Sequence, residues 1–342
     1  MKLIDNKLYR EDIKKVLSKL DLSELEGKTI LITGGLGLIG STVADLLIVH
    51  GKLKKIIIAG RDIRKFQARY QNVSSVEFIE YDALKSLELP FKPDYVIHSA
   101  GIASPELYIS TPVETILSNF IGLNELLEFS KEKKVKRLLY VSSSEVYGKK
   151  DTNCSFSEKD YGLINIDNIR SSYAMAKKAS EMLCKAYYIE YGVESVIVRP
   201  GHIYGPSAMR KDKRVSSDFA YQSAEGKNLE LHSSGLQMRS YCYSIECAAQ
   251  ILLVLQKGKS TEAYNVGHDE VTTIKDMAQI YANAGGVELL AKAPTEEELK
   301  AFNPMMNSSL NNEKIKELGY RDTFSVLEGL THTVQIIREC LY

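Results

Sequence analysis

Residues 28–40 read KTILITGGLGLIG. Ile30, Leu31 and Ile32 make a short apolar run of the kind that forms a strand buried on both faces. Thr33 follows, then Gly34, Gly35, Gly37 and Gly40, and residues 41–50 read as a helix. Strand, glycine-rich turn and helix in that order form the front half of a dinucleotide-binding βαβ unit. The glycines let the backbone turn sharply, approach a pyrophosphate and pack helix against strand. Free N–H groups and the positive end of the helix dipole then face the phosphates. Gly34, Gly37, Leu38 and Ile39 are the expected contacts. A tight turn with nothing bound is the bland alternative, and the flanking strand and helix weigh against it.

The chain has 342 residues, 44% apolar and 26% charged, with a formal net charge of zero. That length suits one large domain, or a large one with a smaller one. Zero net charge gives no electrostatic reason to expect nucleic acid or an anionic membrane as a partner. Five cysteines, at 154, 184, 242, 247 and 340, form no C-x-x-C pair. An odd, scattered set fits a reduced cytoplasmic protein better than a disulfide framework, and no metal is expected. Residues 1–20 are too polar for a signal peptide or membrane span. Ile13, Val16, Leu17 and Leu20 give this stretch one apolar face, to pack on the main domain or on a partner subunit.

Residues 55–59 (KIIIA) read as a second buried strand, ending in Gly60, Arg61 and Asp62. An acid near this point usually takes the ribose hydroxyls, whereas an arginine accommodates a 2′-phosphate. Asp62 is either that acid or a cap for the next helix. Residues 76–79 form a third strand leading to Asp82 and Ala83, where a carboxylate would reach the adenine edge or simply turn the chain. Residues 95–98 form a fourth, running into Ser99, Ala100 and Gly101. The small Ala100 and Gly101 permit close approach to a cofactor, while His98 reads as a packing residue. Pro112 opens a long crossover helix with Val113, Ile116, Leu117, Phe120, Leu123 and Leu127 at helical spacing. Residues 137–143 and 193–198 are further strands, separated by a helix over 173–191. This alternation gives an α/β fold, a Rossmann-type doubly wound parallel sheet with a smaller C-terminal substrate lobe. The expected division is a helical extension at 1–27 and a dinucleotide domain at 28–200, rejoined by 241–270. The lobe takes 201–240 and 271–342.

Three groups carry chemistry. Tyr173 and Lys177 lie four residues apart and share one face of a helix. An ammonium beside a phenol lowers its pKa and makes a base for a sugar hydroxyl. Ser143, Ser144 and Glu145 follow the fifth strand, at the carboxyl end where ligands sit in this fold class. Glu145 is either functional or a solvated loop charge. Arg239 lies in the suspected lobe, and an exposed charge is its plain alternative.

In order, TGGLGLIG, HSAG, SSSEVYG, YAMAK and RPGHIYGP resemble the extended short-chain dehydrogenase/reductase family of nucleotide-sugar epimerases, dehydratases and decarboxylases, over about residues 28–335. SSSEVYG, IRSSYAMAKKASEMLCKAY, KRVSSDF and MRSYCY together are similar to UDP-glucuronate decarboxylases. The resemblance implies that Ser143, Tyr173 and Lys177 serve oxidation at C4 of the sugar. It also implies that Glu145 and Arg239 serve the decarboxylation, and that Tyr108, Ser144, His202, Arg214 and Arg239 contact substrate. The implied cofactor is NAD, regenerated in each turnover, with NADP open because of Arg61; Tyr173 and Lys177 would also border it. A 4-epimerase would use Ser143, Tyr173 and Lys177 alike and leave Glu145 without a role. A 4,6-dehydratase usually places an aspartate at Ser144. A dinucleotide-sensing protein with an idle site would not need the intact set. The resemblance further implies a homodimer through the helices at 113–130 and 173–191. Four features depart from the subgroup, one of them the extra N-terminal helix. His202 replaces a substrate-touching asparagine, NPMMNSSLNNEKIKELGY replaces an arginine/lysine-Pro-Asp stretch, and Arg61 stands near the usual ribose acid.

Overall fold

The computed structural model describes residues 2–341 apart from 86, 88 and 294–304. The strands are β1 (Thr29–Thr33), β2 (Lys55–Gly60), β3 (Val76–Glu80), β4 (Tyr95–His98), β5 (Arg137–Val141) and β6 (Ser195–Pro200). They continue with β7 (His202–Tyr204), β8 (Leu229–Leu231), β9 (Met238–Arg239), β10 (Tyr241–Tyr243) and β11 (Ala263–Val266). Seven of them form one sheet in the order β11-β6-β5-β4-β1-β2-β3, every pairing parallel. Strand order reverses between β1 and β4, so their carboxyl ends flank the crevice where this fold class binds ligands.

The helices are α1 (Lys7–Leu17), α2 (Leu38–His50), α3 (Ile63–Tyr70), α4 (Pro105–Ser110), α5 (Pro112–Lys133), α6 (Ser171–Tyr191), α7 (Val215–Ala224), α8 (Ser244–Lys257) and α9 (Ile274–Gly285). All five residues of β1 are buried, because both faces of the sheet are covered. Successive side chains point to opposite faces. Ile30 and Ile32 join a core with Val43, Leu46 and Ile251 of α2 and α8. Leu31 joins a second core with Leu123 and Leu127 of α5 and Cys184 of α6. The first core continues into the C-terminal part through Phe219, Met277 and Val334. There α7, α9 and the helix Val326–Leu341 pack on one another. Residues 294–304 and 342 of the 271–342 segment lie outside the described residues.

The boundaries differ from the sequence reading where side chains intervene. Helix α2 begins at Leu38 rather than Ser41, because Gly37 already supplies the extended N-cap backbone. Strand β5 stops at Val141, since the Ser142 hydroxyl donates to Glu181 at 2.6 Å and Ser143 caps a short 3-10 turn. Helix α4, unmarked in the periodicity, carries Tyr108. Helix α1 ends at Leu17, short of Leu20, and packs on α2 and α8 of its own chain. Among the described residues no helix is long and apolar enough to cross a membrane.

Buried polar contacts hold α1 in place. The Tyr9 hydroxyl donates to Asp45 at 2.8 Å, and Asp45 also pairs with Arg69. Asp12 accepts from the Tyr243 hydroxyl at 3.0 Å and from His332 Nδ1 at 3.0 Å. That hydrogen bond raises the His332 pKa above its ordinary value, against partial burial. A raised folded-state pKa adds stability that is complete below the unfolded value and is lost as pH rises through the folded value. Asp12→Asn is therefore expected to lower the thermal midpoint more at about pH 6 than at about pH 8.5. Melting curves of both proteins across that range check this; an equal drop at both ends would refute the linkage.

Candidate active site

The glycine turn is shaped by contact with β4. Gly34 has φ +68°, and a Cβ there would lie 2.6 Å from the Ala100 nitrogen and the Ser99 carbonyl. A Cβ on Gly40 would lie 2.6 Å from the Gly34 oxygen. Both glycines are therefore demanded by the fold itself. Gly37 differs: a Cβ would meet nothing nearer than the Gly34 oxygen at 3.4 Å. Its missing side chain leaves space beside the first turn of α2, which has no side-chain cap. Leu38 and Ile39 open that turn, and an uncapped helix N-terminus behind a glycine cradle fits a pyrophosphate.

The acidic candidates around the cradle are engaged locally. Asp62 caps α3, its Oδ1 accepting from the Arg64 and Lys65 backbone nitrogens at 3.0 and 3.1 Å. Asp82 Oδ1 accepts from the Leu84 nitrogen at 3.1 Å, a turn contact, and Ala83 packs opposite Gly122. Arg61 is exposed. His98 is the packing residue expected: it is fully buried, with Nδ1 2.7 Å from the Thr33 hydroxyl. Burial, then the nearby Lys177 charge, push its pKa down to about 3.

Tyr173 and Tyr108 stack with centroids 4.3 Å apart and planes 6° from parallel. Both are buried. Burial pushes Tyr173 up to about 12, opposed by its hydrogen bonds to Ser143 and Tyr108 and by the Arg214 charge. Lys177 Nζ does not reach the phenol oxygen. It donates to the Val141 carbonyl at 2.8 Å and lies 4.7 Å over the Tyr140 ring, 5.8 Å from the centre of the Tyr173 ring. Burial pushes Lys177 itself down to about 7. The expected acidification of Tyr173 by Lys177 is thus absent here. The physical reason is that β5 ends at Val141, two residues earlier than expected, and the ammonium donates to the carbonyl there instead.

Ser143, Glu145, Tyr108, Tyr173, Arg214, Arg239 and His202 converge. Ser143 Oγ accepts from the Glu145 nitrogen at 3.2 Å while serving Tyr173. Ser144 sits half-buried in the same turn. Arg214 is held by Asp212, with Nε 3.0 Å from both carboxylate oxygens, and its field reaches Tyr108 and Tyr173. Arg239 is buried, 3% exposed, so it is not a surface charge, and it forms no ion pair among the described residues. Its Nη1 donates to the Met238 and Met305 carbonyls at 2.8 and 3.2 Å. Burial lowers its pKa, with Tyr241 and Glu145 the nearby groups opposing that. His202 is held neutral, its pKa pushed to about 3 by burial and by Arg239 and Arg214. Its Nδ1 is buried without a partner among the described residues.

Sequence reasoning missed Arg170. Its guanidinium grips Glu145 with two hydrogen bonds, Nη1 to Oε2 at 3.0 Å and Nη2 to Oε1 at 2.8 Å. The signal was available: Arg170 precedes Tyr173 by one helical turn, and i,i+3 neighbours share a face. Glu246, His268 and Asp322 form a separate cluster of metal-ligating types. There His268 Nδ1 accepts from the Glu270 nitrogen and Nε2 faces the Phe324 carbonyl at 2.9 Å, so both ring nitrogens are engaged.

Residues 30–267 match the NAD dependent epimerase/dehydratase family. The chain is 30% identical to UDP-glucuronic acid decarboxylase 1 of Danio rerio, over 92% of this chain and 73% of that protein. Its backbone superposes on UDP-glucose 4-epimerase of Thermotoga maritima, solved with UDP-glucose, with TM-score 0.79 at 27% identity, covering 92% of this chain and all of that one. A dTDP-glucose 4,6-dehydratase of Streptomyces venezuelae, solved as a double mutant with NAD bound, gives 0.78 at 25% identity over 91% and 97% of the two chains. With most of its length matched by the family and a relative at 30% identity, the chain belongs to the NAD dependent epimerase/dehydratase family.

Proposed function

We propose that this protein is an NAD-dependent nucleotide-sugar decarboxylase, of the UDP-glucuronate type, working through a transient 4-keto sugar. One observation carries the choice among the family's reactions. Arg239 is buried with no carboxylate hydrogen-bonded to it among the described residues, and the charge of Glu145, held by Arg170, is near enough to act on it. A buried guanidinium without a counter-charge is costly unless an anion completes it. The carboxylate of a sugar acid is such an anion. A 4-epimerase would leave Glu145 and Arg170 idle.

The chain's own groups then take these roles. Gly34, Gly37 and the first turn of α2 hold the dinucleotide, and Lys177 and Tyr173 border its nicotinamide end. When bound, NAD⁺ supplies the hydride acceptor and a positive ring. Tyr173 takes the proton of the 4-hydroxyl as hydride leaves C4, with Ser143 hydrogen-bonding the same oxygen. The resulting 4-ketone makes the C6 carboxylate that of a β-keto acid. The C5–C6 bond breaks, carbon dioxide leaves, and the electron pair becomes an enolate whose oxygen Ser143 and Tyr173 stabilise. Glu145 and Arg239 hold the carboxylate end and manage the proton that C5 takes up in place of the lost carboxylate. Tyr173 gives its proton back to the C4 oxygen, and a bound dinucleotide would restore the hydride it took, so the cycle carries no net oxidation. His202, Ser144 and Tyr108 border the substrate.

The exposed apolar face of the two long helices supports a homodimer. Val113 of α5 is 61% exposed, and Met182 and Ile189 of α6 are 66% and 84% exposed. All five cysteines are unpaired, which suits a reducing cytoplasm.

Purified protein with NAD⁺ and UDP-glucuronate is expected to release carbon dioxide. Inversion at C4 without gas release would instead make it an epimerase. Glu145→Gln is expected to slow carbon dioxide release by about 10²–10⁴-fold while leaving NAD⁺ affinity unchanged; normal turnover would remove Glu145 from the chemistry. Arg170→Lys keeps the charge but loses the two-pronged grip, so turnover is expected to fall about tenfold and its pH profile to shift. An unshifted profile would reduce Arg170 to a structural residue. In the cradle, Gly37→Ala is expected to leave the thermal midpoint in place and weaken dinucleotide binding at least about tenfold. Gly40→Ala should lower the midpoint itself, and calorimetry beside a binding titration separates the two.

A further inference from the structure

One face of α6 holds the exit of β5 residue by residue. Tyr173, Lys177 and Glu181 stand at successive i,i+4 positions of that helix and so share a face. Three consecutive residues meet them. Val141 gives its carbonyl to the Lys177 ammonium at 2.8 Å, the Ser142 hydroxyl donates to Glu181 Oε1 at 2.6 Å, and Ser143 hydrogen-bonds Tyr173. Ser142 is buried, and its backbone nitrogen donates to the Val198 carbonyl of β6 at 2.8 Å. The outer two contacts belong to groups with a part in the proposed chemistry. The middle one, between Ser142 and Glu181, does not.

Glu181 is itself anchored. Its buried carboxylate pairs with Arg199 of β6, which donates from Nε at 2.9 and 3.2 Å and from Nη2 at 2.6 Å. Arg199 Nη1 donates to the Glu158 carbonyl at 3.1 Å, and its guanidinium lies 4.9 Å from the centre of the Tyr147 ring. Tyr147 closes the 3-10 turn Ser144–Tyr147, which carries Glu145. The turn is thus held on both sides, by Glu181 at Ser142 and by Arg199 at Tyr147. A matched buried ion pair is commonly structural and nothing more. This one spends a carboxylate oxygen on the residue directly before Ser143. Resting on the reading above that Ser143, Tyr173 and Glu145 do the chemistry, we infer that Glu181 is a positioning residue for that reaction. Acting through the Ser142 hydroxyl, it fixes the β5 exit against α6. The Ser143 hydroxyl then meets the same oxygen as the Tyr173 phenol, and Glu145 stands at the carboxylate end. A hydroxyl bound to a carboxylate makes a short, strong hydrogen bond, and a misplacement of about 1 Å costs about a hundredfold in rate.

Ser142→Ala tests this, because it removes only the hydroxyl and leaves the Glu181–Arg199 pair whole. With NAD⁺ and UDP-glucuronate, the full-length variant is expected to lose about tenfold in kcat for carbon dioxide release. KM and NAD⁺ affinity are expected to stay unchanged. Ser142→Thr keeps the hydroxyl and should recover most of the loss. Glu181→Gln is expected to lower kcat at least as much as Ser142→Ala does. Adding Ser142→Ala to it should cost nothing further, since both act through one contact. An intact kcat in Ser142→Ala, whatever its thermal midpoint, would make the contact structural and overturn the assignment. Losses that multiply in the double variant would overturn it too, and either result leaves the decarboxylase reading standing. Should the unaltered chain invert C4 without gas release, that reading fails and the same comparison is made on inversion, which uses Ser143 and Tyr173 alike. An unaltered chain that does neither overturns both.

Discussion

The structure hangs on a backbone contact that no side chain can share. Gly34 presses against Ser99 and Ala100 of the β4 exit, and Gly40 presses against Gly34. A single methyl at either point would sit 2.6 Å from backbone atoms. This closeness locks the carboxyl ends of β1 and β4 together at the reversal of strand order. It aims the uncapped start of α2 into the crevice, and it puts the end of β2 one hydrogen bond away. The small residues after β4 follow from the same constraint: Ser99 ties itself to the Thr33 carbonyl at 2.7 Å, and there is no room for more.

Charge is distributed by two different rules. Where the chain buries ions for structure, they are matched. Glu181 meets Arg199 and the Ser142 hydroxyl, and Asp45 meets Arg69, Tyr9 and Tyr70. At the crevice Lys177 and Arg239 donate to backbone carbonyls, Val141 for one and Met238 and Met305 for the other, and form no ion pair among the described residues. Desolvation lowers the pKa of both. A fold that satisfies its buried charges elsewhere leaves these two for groups that arrive with a substrate or cofactor. The phenol of Tyr173 is in the matching position: burial alone makes it a poor base, and an arriving positive charge would favour its ionised form.

Much of the site was legible because it is periodic or local. The i,i+4 spacing of Tyr173 and Lys177 fixes them to one helix face, and the serine run after β5 falls at a strand's carboxyl end wherever that strand lies in the sheet. Arg170 was not singled out, since an arginine at a helix start looks like any solvated charge until its partner is known. Arg239 looked exposed for a related reason: its two-residue strand has no periodicity to declare burial, and the neighbours that cover it are distant in sequence.

The sequence by itself determined the α/β alternation, the glycine cradle and most members of the candidate site. Those depend on short-range rules: strand and helix periods, turn stereochemistry, and one-turn helix spacing. Only the tertiary structure decided which charges are paired. It gave Glu145 to Arg170, Asp62 to the α3 cap and the Lys177 ammonium to a carbonyl, and it docked α1 on its own chain. Pairing is a contest among all groups that three-dimensional packing brings within about 4 Å, and that contest has no signature in local sequence.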